Sequence, residues 1–97
     1  MSPIFTLLIQ IVVVVAVARA LGSAMRRYAI TVEAAGSLVV LMTPSGYANA
    51  LAQAMDEAGH PAIAGTIAGD NTIFVAPREG TTSRSLSSEL GEHLTRI

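Results

Sequence analysis

The pattern of apolar and polar residues divides the chain into two regions. Residues 4–18 (IFTLLIQIVVVVAVA) carry no charge, and only Thr6 and Gln10 interrupt the run with polar side chains. From Tyr28 onward, short apolar segments alternate with turns rich in Gly, Pro and Ser, which is typical of a small domain built around a sheet. We therefore predict a hydrophobic N-terminal segment over residues 1–27 and a folded domain over residues 28–97.

The first region has nearly the length of a membrane span. Its 15 residues would cover about 22 Å as a helix, against a hydrocarbon core of about 30 Å, and an extension to Met25 reaches spanning length if Arg19 snorkels. The arginines that follow place the N-terminus outside and residues 28–97 in the cytoplasm under the positive-inside rule. Two other interpretations fit the same pattern: a buried helix or strand packed against an oligomer partner, and a segment that is an accident of gene fusion or start-site choice.

The second region has the element order ββαββα, which predicts an α+β fold with an antiparallel sheet and two helices. The predicted strands cover residues 29–34, 37–43, 62–68 and 72–76. The first helix follows Ser45 as its N-cap and ends near Ala58, and the second covers residues 82–97. The predicted core stripes of the two helices are Tyr47, Leu51, Ala54, Met55 and Ala58, then Leu86, Leu90, Leu94 and Ile97. Because the strands are apolar at both alternating positions, we expect an oligomer that covers the second face of the sheet.

Charge and residue types argue against several classes of function. Six basic and seven acidic residues give a net charge of −1, so no overall basic field exists to hold a nucleic-acid backbone. The chain has no cysteine, and His60 and His93 stand far from any partner at metal-ligand spacing. We expect no metal, no cofactor and no enzymatic activity, since no serine, histidine and acid form a recognisable nucleophile arrangement.

The stretch GTIAGDNT at residues 65–72 lies between two predicted buried strands. One interpretation is a plain hairpin turn, because Gly, Asp and Asn tolerate the positive φ angles of tight turns. The other is that the turn presents the carboxylate of Asp70 to a cationic ligand. A carboxylate is the common side chain that accepts two parallel N–H bonds from a guanidinium group.

Residues from about 30 to 94 resemble the C-terminal, arginine-sensing domain of bacterial arginine repressors. The resemblance rests on GTIAGDNT, on SLVVLMTPSG at residues 37–46, on the helix from Ala48 to Asp56 and on IFVAP at residues 73–77. It implies a domain that forms trimers, two of which stack into a hexamer with free L-arginine at the interface between them. A weaker resemblance links residues 9–27 to the first transmembrane helix of monovalent cation:proton antiporters.

The resemblance also implies which residues bind the ligand. The family has an Asp-Asp pair after the motif glycine; the first falls on Asp70 here and the second on Asn71, which removes one negative charge. A helix glutamine or histidine of the family falls on Asn49, and a helix aspartate falls on Asp56. With the backbone carbonyl near Ala68, these two side chains offer acceptors for the α-ammonium group of arginine.

The α-carboxylate of the ligand needs N–H donors, which the turn amides or Gln53 could supply. Taken without the resemblance, Asn49, Gln53 and Asp56 form an ordinary solvated helix face. We therefore predict an arginine-sensing oligomerisation domain with L-arginine as its effector and a trimer or hexamer as its assembly. The alternative is a small protein anchored to the membrane through residues 4–25 with a vestigial sensor domain. Arginine repressors carry a winged helix-turn-helix before this domain, and residues 1–27 show no such pattern, so we expect no DNA binding by this chain alone.

Overall fold

The computed structural model describes residues 3–95, which form three helices and four strands. In chain order these are α1 (Pro3–Tyr28), β1 (Thr31–Ala35), β2 (Leu38–Met42), α2 (Ala48–Ala58), β3 (Ile63–Gly69), β4 (Thr72–Pro77) and α3 (Ser83–Thr95). The order after α1 is ββαββα, so the predicted α+β fold with an antiparallel sheet and two helices is confirmed.

The four strands form one antiparallel sheet in the order β1-β2-β4-β3. The two hairpins, β1–β2 and β3–β4, meet through the pairing of β2 with β4 in the middle of the sheet. This pairing aligns Val39 with Val75 and Leu41 with Ile73. All four of these side chains are fully buried, because alternation along the strands turns them toward the helices.

The helices cover one face of the sheet. The helix α3 lies over β1 and β2, α2 lies over β3 and β4, and α1 packs against both α2 and α3. The core between these layers is continuous. Its largest fully buried side chains are Leu21, Met25, Leu41, Leu51, Met55, Ile73, Leu86, Leu90, Val39 and Val75.

The opposite face of the sheet is open in the single chain. The register places Glu33, Val40, Phe74 and Ile67 in one row across the four strands. Ile67 is 76% exposed and Phe74 is 48% exposed, although both are large apolar residues. The helices of one chain therefore leave an apolar sheet face uncovered, and the expectation of an oligomer stays a prediction.

The helix α1 is a single helix with two different environments. Residues 3–16 are exposed throughout, whereas Leu21, Gly22, Ala24 and Met25 are buried against α2 and α3. The last turns of α1 thus belong to the core of the domain, although the predicted domain begins at residue 28.

The observed elements correct three local predictions. The strand β1 begins at Thr31 and not at residue 29, because α1 continues to Tyr28 and the Ala29 amide still donates to the Met25 carbonyl at 2.9 Å. Ser45 is not the N-cap of α2, since Tyr47 occupies that position without a side-chain capping bond. Tyr47 is 50% exposed and lies outside the core.

The buried face of α2 consists of Ala48, Leu51, Ala52 and Met55, and Ala54 and Ala58 pack against the core, so the predicted stripe is right except for Tyr47. The end of α2 matches the prediction, because Gly59 follows it in the left-handed region at φ 67°. In α3, Leu86 and Leu90 are buried and Leu94 packs against the core. The fourth predicted member, Ile97, lies outside the described residues.

Candidate functional site

The turn between β3 and β4 consists of two residues, Asp70 and Asn71, and Gly69 pairs with Thr72 across it. Asp70 has a φ of +50°, which Asp adopts more readily than most other residues. Its side chain is exposed. The local sequence thus produces a tight hairpin that holds a carboxylate at its tip.

The Asp70 carboxylate is fixed by donors from the loop that leads into α2. Oδ1 accepts hydrogen bonds from the Ser45 hydroxyl and the Gly46 amide, both at 3.0 Å, and Oδ2 lies 3.3 Å from the same hydroxyl. A carboxylate has about four lone-pair sites. Oδ2 therefore keeps most of its capacity for a further donor, whereas Oδ1 already has two.

The backbone of Asp70 also supports α2. Its carbonyl accepts hydrogen bonds from the Gly46 amide at 3.1 Å and the Ala48 amide at 3.0 Å. The Ala48 amide belongs to the first residue of α2 and has no acceptor within its own helix. The β3–β4 turn therefore contributes to the start of α2, and the plain hairpin interpretation describes part of what Asp70 does.

Two other predicted site residues lie near this turn. Asn71 is half-buried; its carbonyl accepts from the Thr43 amide at 2.8 Å and its Oδ1 accepts from the Thr72 hydroxyl at 2.9 Å. Asn49 is exposed in the first turn of α2, next to Ala48. Asp70, Asn71 and Asn49 thus share one end of the domain.

The remaining predicted residues lie further along α2 and β3. Gln53 is exposed and donates from Nε2 to Glu57 Oε1 at 3.0 Å. Asp56 accepts from the Thr66 hydroxyl at 2.9 Å, two helical turns and about 10.5 Å beyond Asn49. Ala68 is half-buried and packs against the core. In a single chain two of the six predicted residues, Asp70 and Asp56, therefore lie at separate places, each bound to a different part of the chain.

Asp56 lines a cleft of about 680 Å³ between the end of α2 and the start of β3. Arg78 lies in the same cleft, where Nε donates to the Pro61 carbonyl at 3.0 Å and Nη2 donates to the Ile63 carbonyl at 3.2 Å. The cleft therefore contains one carboxylate and one guanidinium group. Asp70 does not line it.

Three residues at the Asp70 turn and in the Asp56 cleft were not predicted as site residues from the sequence: Ser45, Gly46 and Arg78. Ser45 and Gly46 stand 25 and 24 positions before the carboxylate that they bind, so only the folded chain reveals the contact. Arg78 follows β4 directly, and a lone basic residue after a strand gives no signal of a cleft. Among residues 3–95, no group of three or more His, Asp or Glu side chains could hold a metal ion.

Comparison with known proteins agrees with the fold and with the motif. The sequence model of the family described as "Arginine repressor, C-terminal domain" matches residues 25–92. An arginine repressor of Anaeromyxobacter sp. (strain Fw109-5) is 52% identical over 58 residues, which cover 60% of this chain and 37% of that protein.

An arginine repressor of Anaeromyxobacter sp. (strain K) is 44% identical over 72 residues, which cover 74% of this chain and 45% of that protein. The chain thus spans less than half the length of these two relatives. The match to the family covers more than half of the chain and includes the Asp70 turn, α2 and all four strands. The chain belongs to the family of arginine repressor C-terminal domains.

Proposed function

We propose that this chain is an arginine-responsive oligomerisation domain that binds L-arginine at a subunit interface through Asp70. The observation that carries the proposal is the exposed Asp70 carboxylate, held at the tip of the β3–β4 hairpin in the turn GTIAGDNT. The role is regulatory and not catalytic. Ligand that binds only the assembled form would stabilise it by mass action.

The guanidinium group of arginine suits this carboxylate for two reasons. It is planar, permanently charged and rich in N–H donors, whereas Oδ2 of Asp70 has spare acceptor capacity. The neighbouring Asn71 contributes no charge, so the site has one carboxylate at the turn. A charge-assisted hydrogen bond of this kind stabilises by about 1.5–3 kcal/mol.

The division of the predicted site supports binding at a subunit interface. Asp70 and Asp56 lie at separate places of one chain, so the two ends of one arginine molecule would need groups from different copies. The open sheet face, with Ile67 and Phe74 exposed, supports assembly because exposed apolar patches mark interaction surfaces. A trimer or a hexamer would meet both requirements.

The proposal is tested by calorimetric titration of the whole chain in a mild non-ionic detergent with L-arginine, L-citrulline and L-lysine. We expect heat with arginine and none with citrulline, which has the shape of arginine without its charge. Sedimentation in the same buffer would show more oligomer with arginine present. A folded oligomer that gives no heat with any of the three compounds would rule out the ligand.

The variant Asp70→Asn tests the residue. It keeps an oxygen that can accept from Ser45 and Gly46 and removes the charge, so the fold is preserved better than in Asp70→Ala. We expect arginine affinity to fall by about tenfold to a hundredfold. Glu79→Gln removes an exposed carboxylate between β4 and α3 and is the matched control. Equal affinity for Asp70→Asn and the parent would contradict the assignment, and Asn71→Asp is expected to tighten binding.

A second candidate function, membrane anchoring, is favoured by the exposed part of α1. Among the described residues, α1 is the one helix long and apolar enough to cross a membrane, and only 6% of its most apolar stretch is buried. The large apolar residues from Ile4 to Val15 are 46–72% exposed. A buried core helix would have the same composition but would be covered by the protein, which this part of α1 is not.

Fractionation of cells that express the chain tests the anchor. We expect the chain in the membrane fraction, resistant to an alkaline carbonate wash and released by detergent. Recovery of the chain in the soluble fraction without detergent would remove this candidate and would leave the arginine proposal untouched.

A further inference from the structure

The domain has two poles that are defined by the direction of α1. At its C-terminal end, the Tyr28 ring stacks on the Tyr47 ring with centroids 5.8 Å apart, just before α2 begins. About three turns earlier, Val17 and Ala18 line a cleft with the segment Gly59–Pro61, which follows the end of α2. The helices α1 and α2 therefore run side by side in opposite directions.

These contacts separate the anchor pole from the turn pole. The anchor pole consists of Gly59–Pro61 with Glu89–His93 of α3, and it lies beside the point where α1 leaves the domain. The turn pole consists of Pro44, Ser45, Tyr47 and the turn Asp70–Asn71. The length of α2, 11 residues or about 16 Å, lies between the two poles.

No linker separates the exposed part of α1 from the domain. The helix is continuous from Pro3 to Tyr28, and Leu21 and Met25 near its end are 1% and 0% exposed in the core. Any surface that binds the exposed part therefore also fixes the orientation of the domain. A hinged tether would leave that orientation free.

The exposed part of α1 suits lipid better than a second copy in water. Residues 4–18 are apolar on every side of the helix apart from Thr6 and Gln10. A helix bundle in water needs a polar outer face on each helix, whereas a helix that is apolar all round needs a hydrocarbon environment. Arg19 is exposed directly after the apolar residues, and the Arg26 guanidinium reaches back beside Gly22.

The length of the apolar part brings the domain close to the bilayer. Pro3 to Ala18 spans about 24 Å as a helix, which is shorter than a hydrocarbon core of about 30 Å, and the part from Val13 onward already lies beside the domain. A span that is shorter than the hydrocarbon core thins the bilayer and keeps the domain close to the membrane surface. A cleft of about 510 Å³ lies at this junction, with Val13 and Val17 on one wall and the paired His60 and Glu89 on the other. Apolar side chains line one wall of this cleft and polar side chains line the other, which suits the boundary between acyl chains and headgroups.

We propose that α1 holds the anchor pole against the lipid headgroups and directs the turn pole away from the membrane. This inference rests on the proposed membrane anchoring. The Asp70 turn then lies about 16 Å or more from the bilayer surface, open to a ligand and to a second copy. The membrane partner and the ligand-binding turn thus occupy opposite ends of one domain with a continuous core.

The absence of cysteine from the sequence makes site-specific labelling direct. Pro61→Cys and Pro44→Cys are a matched pair, because both prolines are exposed and each marks one pole. Val12→Cys marks the apolar part of α1, where Val12 is 66% exposed. Each variant of the whole chain carries a nitroxide label and is reconstituted in vesicles of phosphatidylcholine and phosphatidylglycerol that contain a nickel-chelating lipid.

We expect headgroup nickel to relax the label strongly at position 61 and not at position 44, and oxygen to reach the label at position 12 from the lipid phase. Equal or reversed relaxation at positions 61 and 44, with position 12 in lipid, would overturn the orientation and leave the anchor intact. A label at position 12 that lies in water would overturn both. If Pro61→Cys does not fold, Gly91→Cys repeats the measurement, because a Cβ there meets nothing within 4 Å.

Discussion

The two parts of α1 differ in composition and have opposite surroundings: residues 3–18 carry no charge, whereas residues 19–28 contain three arginines. From Pro3 to Ala16 every side chain is exposed, whereas Leu21 and Met25 are fully buried by α2 and α3. The C-terminal part of α1 therefore belongs to the core of the domain, whereas the domain does not cover the exposed part, residues 3–16. The apolar character of a residue therefore does not by itself show whether that residue packs in the core of the domain or contacts a partner such as lipid.

The largest expected effect comes from the same substitution in both parts. Leu21→Ala removes a side chain that is 1% exposed and leaves a cavity, so we expect it to lower the free energy of unfolding by about 3 kcal/mol. Leu8→Ala is the matched control, because Leu8 is 55% exposed and touches little of the domain. Urea unfolding in detergent, followed by the near-ultraviolet circular dichroism of Tyr28 and Tyr47, measures the difference. Equal losses for both variants would contradict the division of α1.

A lysine in each part gives the converse comparison. Val12→Lys puts a charge in the middle of the exposed part of α1, at a cost of about 3 kcal/mol if that residue lies in hydrocarbon. We expect the partition coefficient of the chain into vesicles, measured by flotation, to fall about a hundredfold. Ser23→Lys adds the same charge at an exposed position outside this part of α1 and is the control. Flotation that is unchanged by Val12→Lys would show that this residue does not enter the bilayer.

The smallest expected effect distinguishes two helical glycines. A Cβ at Gly22 of α1 would lie 2.9 Å from His93 Nδ1, whereas a Cβ at Gly91 of α3 would meet nothing within 4 Å. Alanine favours a helix by about 1 kcal/mol over glycine. We expect Gly91→Ala to raise the melting temperature and Gly22→Ala to leave it unchanged or lower it, since its gain is offset by overpacking. Thermal unfolding of both variants gives the comparison, and a stabilising Gly22→Ala would contradict close packing of α1 on α3.

Most of the fold could be predicted from the sequence because its strands and helices have strong local patterns. The four strands match within about two residues, since β-branched runs bounded by Gly and Pro define them. The packing of the end of α1 could not be predicted, because Leu21 and Met25 stand among basic and small residues whose pattern does not indicate a partner helix. Tyr47 was predicted in the core because of its helical spacing, but α2 begins one residue later and its buried face starts at Ala48.

The candidate site could be predicted only in part. The tight turn and the exposed carboxylate of Asp70 follow from the local preference of Gly-Asp-Asn for hairpins. The contact of Ser45 with Asp70 depends on the tertiary arrangement and has no local signature. The separation of Asp56 from Asp70 also follows from the way α2 and β3 pack, which residue spacing cannot give.

The hydrogen bonds of Asp70 have a thermodynamic consequence for any cation that approaches it. Ser45 and Gly46 already restrict the rotamer of this side chain in the unliganded domain. Ordering a mobile side chain on association costs about 0.5–1.5 kcal/mol. For Asp70 this conformational entropy is already lost when the domain folds. The carboxylate is therefore preorganised, and a ligand that fits it gains affinity without further ordering of the protein.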